Sequence, residues 1–175
     1  MRFKHIILIL VGFSFLAFGL PKNIEKKVNK EITETFSVVN FNLISVSIPI
    51  EIEQTLASRF GEDNLFKIES DNKFLAYVYI SQAASKTALF DYMVLLDSDL
   101  IIIKTKVLFY REEYGGEIGS KRWLKQFIGK TQTDDLKYGD NIIAISGATI
   151  SVRSFTEAIN NLLKSLKILH SKNIL

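Results

Sequence analysis

Four consecutive residues near the C-terminal end have the types and spacing that suit anion binding. They are Ser146, Gly147, Ala148 and Thr149. The run at residues 142–145 before them is apolar and largely β-branched, which predicts a short buried strand. A long amphipathic helix is predicted behind them from apolar residues at helical spacing, namely Phe155, Ile159, Leu162, Leu163, Leu166 and Leu169. At such a helix start the backbone N–H groups lack partners, and the helix dipole attracts negative charge.

The glycine and the threonine of this turn favour a phosphate as the anion. Gly147 has no Cβ to hold a phosphate away from the backbone, and Thr149 places a hydroxyl at the same point. The alternative is structural: Ser146 caps the helix and Gly147 only eases the turn.

A charged, glycine-bearing loop at residues 110–118 is the second informative stretch. Gly115 and Gly116 allow the backbone to turn tightly or to approach a flat ligand closely. The alternative is a plain connection from a strand to a helix. That helix is predicted from about residue 120 to residue 128, with Trp123, Leu124 and Phe127 on its buried side.

The Ser-Gly-Ala-Thr motif, with Ile150 and Ser151 behind it, resembles the flavinylation signature of the FMN-binding domain family. That family includes flavin-carrying subunits of sodium-pumping quinone reductases and of related ferredoxin-oxidising ion pumps. A dedicated flavin transferase esterifies the threonine of the motif with the phosphate of FMN. The resemblance therefore implies FMN as the cofactor and Thr149 as its acceptor, with Ser146, Gly147 and Ala148 as further binding residues.

The resemblance extends, in the same order, over about residues 74–166. Glu113 and Gly116 match the Glu and Gly of a family loop that lies beside the flavin, and Tyr114 stands where Thr is usual. These three residues are the remaining predicted site. Two positions depart from the signature: Ile143 replaces an acidic residue, and Val152 replaces a serine that is common there.

Composition excludes several other functions. The chain has no cysteine, which excludes disulfides, iron–sulfur clusters and c-type haem attachment. Its two histidines, His5 and His170, cannot build a His-based metal site or a catalytic triad. Asp97 and Asp99 predict a turn rather than a metal site. The net charge is only +3 and no basic stripe stands out, so nucleic acid is not an expected partner.

The N-terminus predicts export. Arg2 and Lys4 precede an apolar run at residues 6–20, which is short for a membrane span and typical of a signal-peptide core. We expect a signal peptide or membrane anchor at residues 1–20, with cleavage possible after Gly19. The alternative is a buried apolar element of the domain. In either membrane case the remainder of the chain is periplasmic, or anchored facing away from the cytoplasm.

The remainder, residues 21–175, is predicted to be one α+β FMN-binding domain. A helix at residues 23–36, capped by Asn23, precedes a strand at 37–48 and a helix at 51–60. Four strands joined by hairpin turns follow, at residues 65–69, 74–80, 90–96 and 100–110. Hairpins predict an antiparallel sheet packed by helices, with a long C-terminal helix.

The expected function is that of an exported flavoprotein which relays electrons at the cell envelope. It would be a carrier rather than an enzyme with its own substrate, because no separate catalytic acid or base stands out. Its expected partners are the flavin transferase and a membrane or periplasmic redox protein. Two alternatives remain: an envelope binding module that has lost flavinylation, as Ile143 would indicate, and a reductase that binds FMN non-covalently.

Overall fold

The computed structural model describes residues 20–61 and 63–175. The predicted leader therefore lies, apart from its last residue, outside the described residues. Within the described part, no helix is both long enough and apolar enough to cross a membrane.

A five-stranded sheet forms the centre of the fold, and each strand pairs with the next one along the chain. All pairs are antiparallel, and the strands are β1 (Asn42–Ser45), β2 (Leu65–Ser70), β3 (Lys73–Ala84), β4 (Leu89–Leu96) and β5 (Ile102–Phe109). The turn from β2 to β3 places Asp71 and Asn72 at φ of 50° and 59°, as tight hairpins require. The predicted α+β class with an antiparallel sheet is confirmed.

Helix α1 (Lys22–Phe36) covers one face of this sheet. Ile24, Val28 and Ile32 recur at helical spacing and are buried against apolar side chains of β2, β3 and β4. The predicted cap is wrong: Pro21, not Asn23, occupies the N-cap position. The fixed φ of proline, −51° here, suits the entry to a helix.

The long helix α4 (Thr149–Ser171) covers the opposite face. Every apolar residue predicted for its inner side is buried. Phe155 is central, since its ring centroid lies 5.0 Å from that of Tyr92 and 5.1 Å from that of Phe127. Packing on a sheet thus stabilises a helix whose start is left open to solvent.

Three of the predicted elements are shorter than expected. The strand at 37–48 is only β1, because Ser37 ends α1 with a left-handed φ of 56° and the chain then has to return to the sheet. The helix at 51–60 is only α2 (Ile50–Glu53). Beyond it the N–H of Ser58 donates to Ser165 Oγ of α4, which draws the segment off a helical path. The helix at 120–128 is α3 (Lys121–Leu124) and one 3₁₀ turn (Lys125–Phe127).

Candidate functional site

The first turn of α4 has unused hydrogen-bond donors. Ala148 is its N-cap residue, and no side chain caps the helix. The structural alternative for Ser146 is therefore wrong, since Ser146 does not cap. The backbone N–H groups of Thr149, Ile150 and Ser151 donate to no other described residue. A helix of 23 residues thus presents free N–H groups and the positive end of its dipole at this turn.

Space is open in front of these donors. Thr149 is the first residue of α4 and its side chain is exposed, as are Ser146 and Gly147. Gly147 has a φ of 81°, and a Cβ built on it would meet no atom within 4 Å. Ala148 is buried, with 3% of its surface exposed, and fixes the turn to the core. The Thr149 hydroxyl can therefore be reached by an anionic ligand.

The segment before the turn is not the buried strand that the sequence predicted. Ile142 is buried but forms only an isolated bridge with Tyr138, and Ile143 is 69% exposed. Two side chains take the place of a neighbouring strand. Trp123 Nε1 donates to the Ile143 carbonyl at 2.7 Å, and the Ile143 N–H donates to Gln126 Oε1 at 2.8 Å. Both backbone groups of Ile143 are thereby satisfied without a sheet.

The loop that follows β5 meets the turn at Gly115. This buried glycine has a φ of 87°, and a Cβ on it would lie 2.7 Å from the Tyr110 hydroxyl oxygen. It would also lie 3.5 Å from both the Gly147 carbonyl oxygen and the Ala148 Cβ. The structure therefore brings the two predicted stretches together through a residue that the predicted site left out. The sequence signal for it was the glycine pair.

The three loop residues predicted for the site do not themselves contact the turn through polar groups. Glu113, Tyr114 and Gly116 are exposed, Tyr114 to 77%. Neither Glu113 nor Tyr114 forms a hydrogen bond or ion pair with another residue in the described part of the chain. They lie beside the turn because their neighbour Gly115 packs there.

Side chains on either side of the glycine pair hold the loop in place. Glu112 accepts hydrogen bonds from the Ser85 hydroxyl and the Thr87 N–H, both at 2.6 Å, and these bonds lower the pKa of its carboxyl group. The Tyr110 hydroxyl lies 2.9 Å from Ser151 Oγ in the first turn of α4. Sequence reasoning missed these residues because their partners are distant in the chain, 41 positions apart for Tyr110 and Ser151.

Arg111 adds a further tie between this loop and the sheet. Its guanidinium pairs with the buried carboxylate of Asp91 on β4 and also donates to the Leu89 carbonyl at 2.7 Å. Gln82 on β3 donates to the other carboxylate oxygen of Asp91 at 2.6 Å. The loop beside the turn is thus fixed directly to β4, and through Asp91 to β3, before any ligand binds.

A cleft of about 590 Å³ begins directly before the turn. One wall is the segment at residues 143–145, and the other consists of Glu117, Ser120, Arg122, Trp123 and Gln126. Its volume lies in the range of sites that hold a cofactor-sized ligand. Free helix N–H groups, an accessible hydroxyl and an adjoining cleft are together what a flat cofactor with a phosphate tail requires, so these residues fit FMN. No group of three potential metal ligands occurs among residues 20–61 and 63–175.

Comparison with known proteins gives a family match and a shared fold. Residues 90–164 match the sequence model of the FMN-binding domain, a region that holds β4, β5, the loop and the turn. The crystal structure of NqrC from Shewanella oneidensis shares the fold with a TM-score of 0.53. The two proteins are 18% identical, over 83% of this chain and 88% of that one. The resemblance to the FMN-binding domain family is thereby confirmed, with FMN as the cofactor to which it points and residues 90–164 as the region that carries it.

Proposed function

We propose that this protein is an electron-transfer flavoprotein that carries FMN at the turn of residues 146–149. The observation that supports this most is the exposed Thr149 hydroxyl, which stands among free backbone N–H groups inside the family region. These N–H groups hold the phosphate, and the helix dipole favours its charge. The flavin supplies the redox chemistry, whereas the chain supplies position and electrostatics.

The link to Thr149 is proposed to be a phosphoester. A flavin transferase would join Thr149 Oγ1 to the phosphorus of an activated FMN donor. The bond from phosphorus to the leaving group of that donor breaks, and the hydroxyl proton is released. The step involves no oxidation or reduction. Gly147 leaves the approach to Thr149 open, and Gly115 packs closely against Ala148 and the Gly147 carbonyl.

The loop of Glu113, Tyr114 and Gly116 is proposed to border the flavin. Its support is the contact of Gly115 with the turn, which places the loop at the edge of the same open space. Because Glu112 and Arg111 fix this loop to the sheet, it offers a preformed border rather than a closing lid.

We also propose that residues 21–175 act outside the cytoplasm, behind the leader at residues 1–20. A covalent link is useful there because a dissociated cofactor would be lost by dilution. The redox partner would then be a membrane or periplasmic protein. These proposals rest on the charged start and apolar run of the N-terminal sequence.

One observation favours an envelope binding module without flavin. Ile143, which stands where the family carries an acidic residue, exposes 69% of its surface and is not required by the core. Val152 is different: it is fully buried on the inner side of α4, so packing explains why it replaces a serine. A reductase with dissociable FMN is the remaining alternative.

Flavin detection in a denaturing gel tests these functions. The full chain is co-expressed with a flavin transferase, purified, denatured in SDS and inspected for flavin fluorescence. We expect a fluorescent band that is lost in Thr149→Ala and retained in the control Thr133→Ala, which removes another exposed hydroxyl. Flavin that SDS releases would indicate non-covalent binding. A protein without flavin would contradict the proposal and favour the binding module.

A further inference from the structure

Two opposite charges lie on the wall of the cleft. Among the described residues that line it, Arg122 is the only cation and Glu117 is the only anion. Both are exposed, and neither forms an ion pair with another residue of the described chain. The neighbouring Arg111, in contrast, is fixed by Asp91. Arg122 and Glu117 are therefore free to interact with a ligand in the cleft.

We propose that the flavin ring lies in this cleft and that Arg122 and Glu117 shift its reduction potential in opposite directions. The inference rests on the proposed function, because it requires FMN attached at the turn. It goes further because it assigns the flavin ring to this cleft and names two residues that change the reduction potential of the flavin.

Continuity of the chain supports the ring position. The segment at residues 143–145 is one wall of the cleft and runs directly into Ser146, the first residue of the turn to which FMN is proposed to attach. Half of the residues that line the cleft are apolar, namely Trp123, Ile143, Ala144 and Ile145. A flat aromatic ring is favoured between such walls.

The walls of the cleft are also fixed in advance. Trp123 and Gln126 hold the carbonyl and the N–H of Ile143, and Gln126 Nε2 donates back to the Trp123 carbonyl at 3.0 Å. This clamp joins the two walls of the cleft. A ring can therefore enter without first ordering either wall, which reduces the entropic cost of binding.

The two charges act on the flavin by simple electrostatics. Reduction adds negative charge to the ring, so the Arg122 guanidinium favours the reduced form and the Glu117 carboxylate disfavours it. At about 4 Å in water, one unit charge changes such an equilibrium about fivefold. For a two-electron couple this is about 20 mV.

Potentiometric titration of the loaded full-length protein tests the inference. We expect a midpoint potential about 20 mV lower in Arg122→Gln and about 20 mV higher in Glu117→Gln. Lys125→Gln is the matched control, because Lys125 is an exposed cation on the same helical segment that does not line the cleft. Its potential should stay at the wild-type value. Added salt should reduce the two expected shifts.

The two cleft variants also test whether the ring lies only against the outer side of the loop that carries Glu113. In that case Arg122→Gln and Glu117→Gln leave the potential unchanged, while Glu113→Gln raises it. That result would overturn the inference.

A second readout does not depend on the potential. The chain contains a single tryptophan, Trp123, so its indole N–H gives one signal in a nitrogen–proton correlation spectrum. We expect FMN loading to shift this signal strongly through the ring current of the flavin. An unchanged signal in protein that carries FMN would refute the cleft position but not the proposed function. Protein that takes up no FMN would contradict the proposed function, and the inference with it.

Discussion

Gly115 joins the loop at residues 110–118 to the turn at residues 146–149. We predict that Gly115→Ala lowers the free energy of unfolding by about 1–3 kcal/mol, because alanine is strained at φ 87° and its Cβ would lie 2.7 Å from the Tyr110 hydroxyl oxygen. The Tyr110–Ser151 hydrogen bond would be disturbed as well. Urea denaturation of the unloaded protein measures the change.

Gly116→Ala is the matched control for this prediction. A Cβ on Gly116 would meet no atom within 4 Å, and its φ is not positive, so the free energy of unfolding should change by less than about 0.5 kcal/mol. If the two substitutions had equal effects, the close approach of Gly115 to Tyr110 would not be the cause of the lost stability, which would contradict the prediction.

At the scale of single residues, the sequence was a good guide to the turn and a poor guide to the residues that surround it. Gly147 has the positive φ for which glycine is chosen, and Thr149 is exposed at a helix start as its motif predicts. The contact with Gly115 could not be predicted, because it depends on how β5 and α4 pack. Glu113 and Tyr114 were selected by family pattern, and their part in the site stays a prediction.

At the scale of elements, the clamp formed by Trp123 and Gln126 replaces a strand. We predict that Gln126→Ala greatly accelerates amide hydrogen exchange at Ile143, because the side-chain acceptor of this N–H is lost and the segment is otherwise exposed. Exchange in β4 should remain slow. Mass spectrometry or NMR of the protein without FMN measures the exchange rates at Ile143 and in β4.

Lys125→Ala provides the control for the clamp. Lys125 is the adjacent residue of the same 3₁₀ turn, and its side chain is exposed, so exchange at Ile143 should be unaffected. Fast exchange at Ile143 already in the wild-type protein would contradict the clamp.

This element also shows why one strand was predicted wrongly. A run of β-branched residues indicates extended backbone, but residues 142–145 form no strand and only an isolated bridge at Ile142. It does not reveal whether the hydrogen-bond partners are strands or side chains. Strands β2 to β5 were recognisable because successive strands are joined by turns that reverse the chain, such as the one at Asp71 and Asn72. The short turns that replaced predicted helices depend on long-range bonds, such as that of Ser58 with Ser165.

At the scale of the whole molecule, two helices cover the two faces of one sheet with different chemistry. Helix α4 packs through an aromatic cluster around Phe155, and its open end carries the candidate site. Helix α1 packs through a narrow aliphatic stripe and is fastened by Glu31, which lies between Lys104 and Lys106 of β5 at 2.7 and 2.8 Å. The site therefore lies on the opposite side of the sheet from the element that follows the predicted leader.

The Glu31 cluster should make the stability of the molecule sensitive to acid. Burial by itself raises the pKa of the Glu31 carboxyl, but hydrogen bonds and positive charges of Lys104 and Lys106 outweigh it and hold the pKa below its ordinary value of 4.5. The folded state thus takes up this proton less readily than the unfolded chain. The contribution of Glu31 to stability is present above about pH 4.5 and is lost as the pH falls through the folded-state pKa.

We therefore predict that Glu31→Gln lowers the free energy of unfolding by about 1–3 kcal/mol at pH 7 and by clearly less well below pH 4.5. Glu34→Gln is the matched control on the same helix, because its side chain is 54% exposed and its pair with Lys30 spans 3.7 Å. An exposed pair of this kind contributes about 0–1 kcal/mol. Urea denaturation at both pH values measures the difference. A loss in Glu31→Gln that is equally large in acid would mean that packing of the side chain, and not its charge, fastens α1 to the sheet.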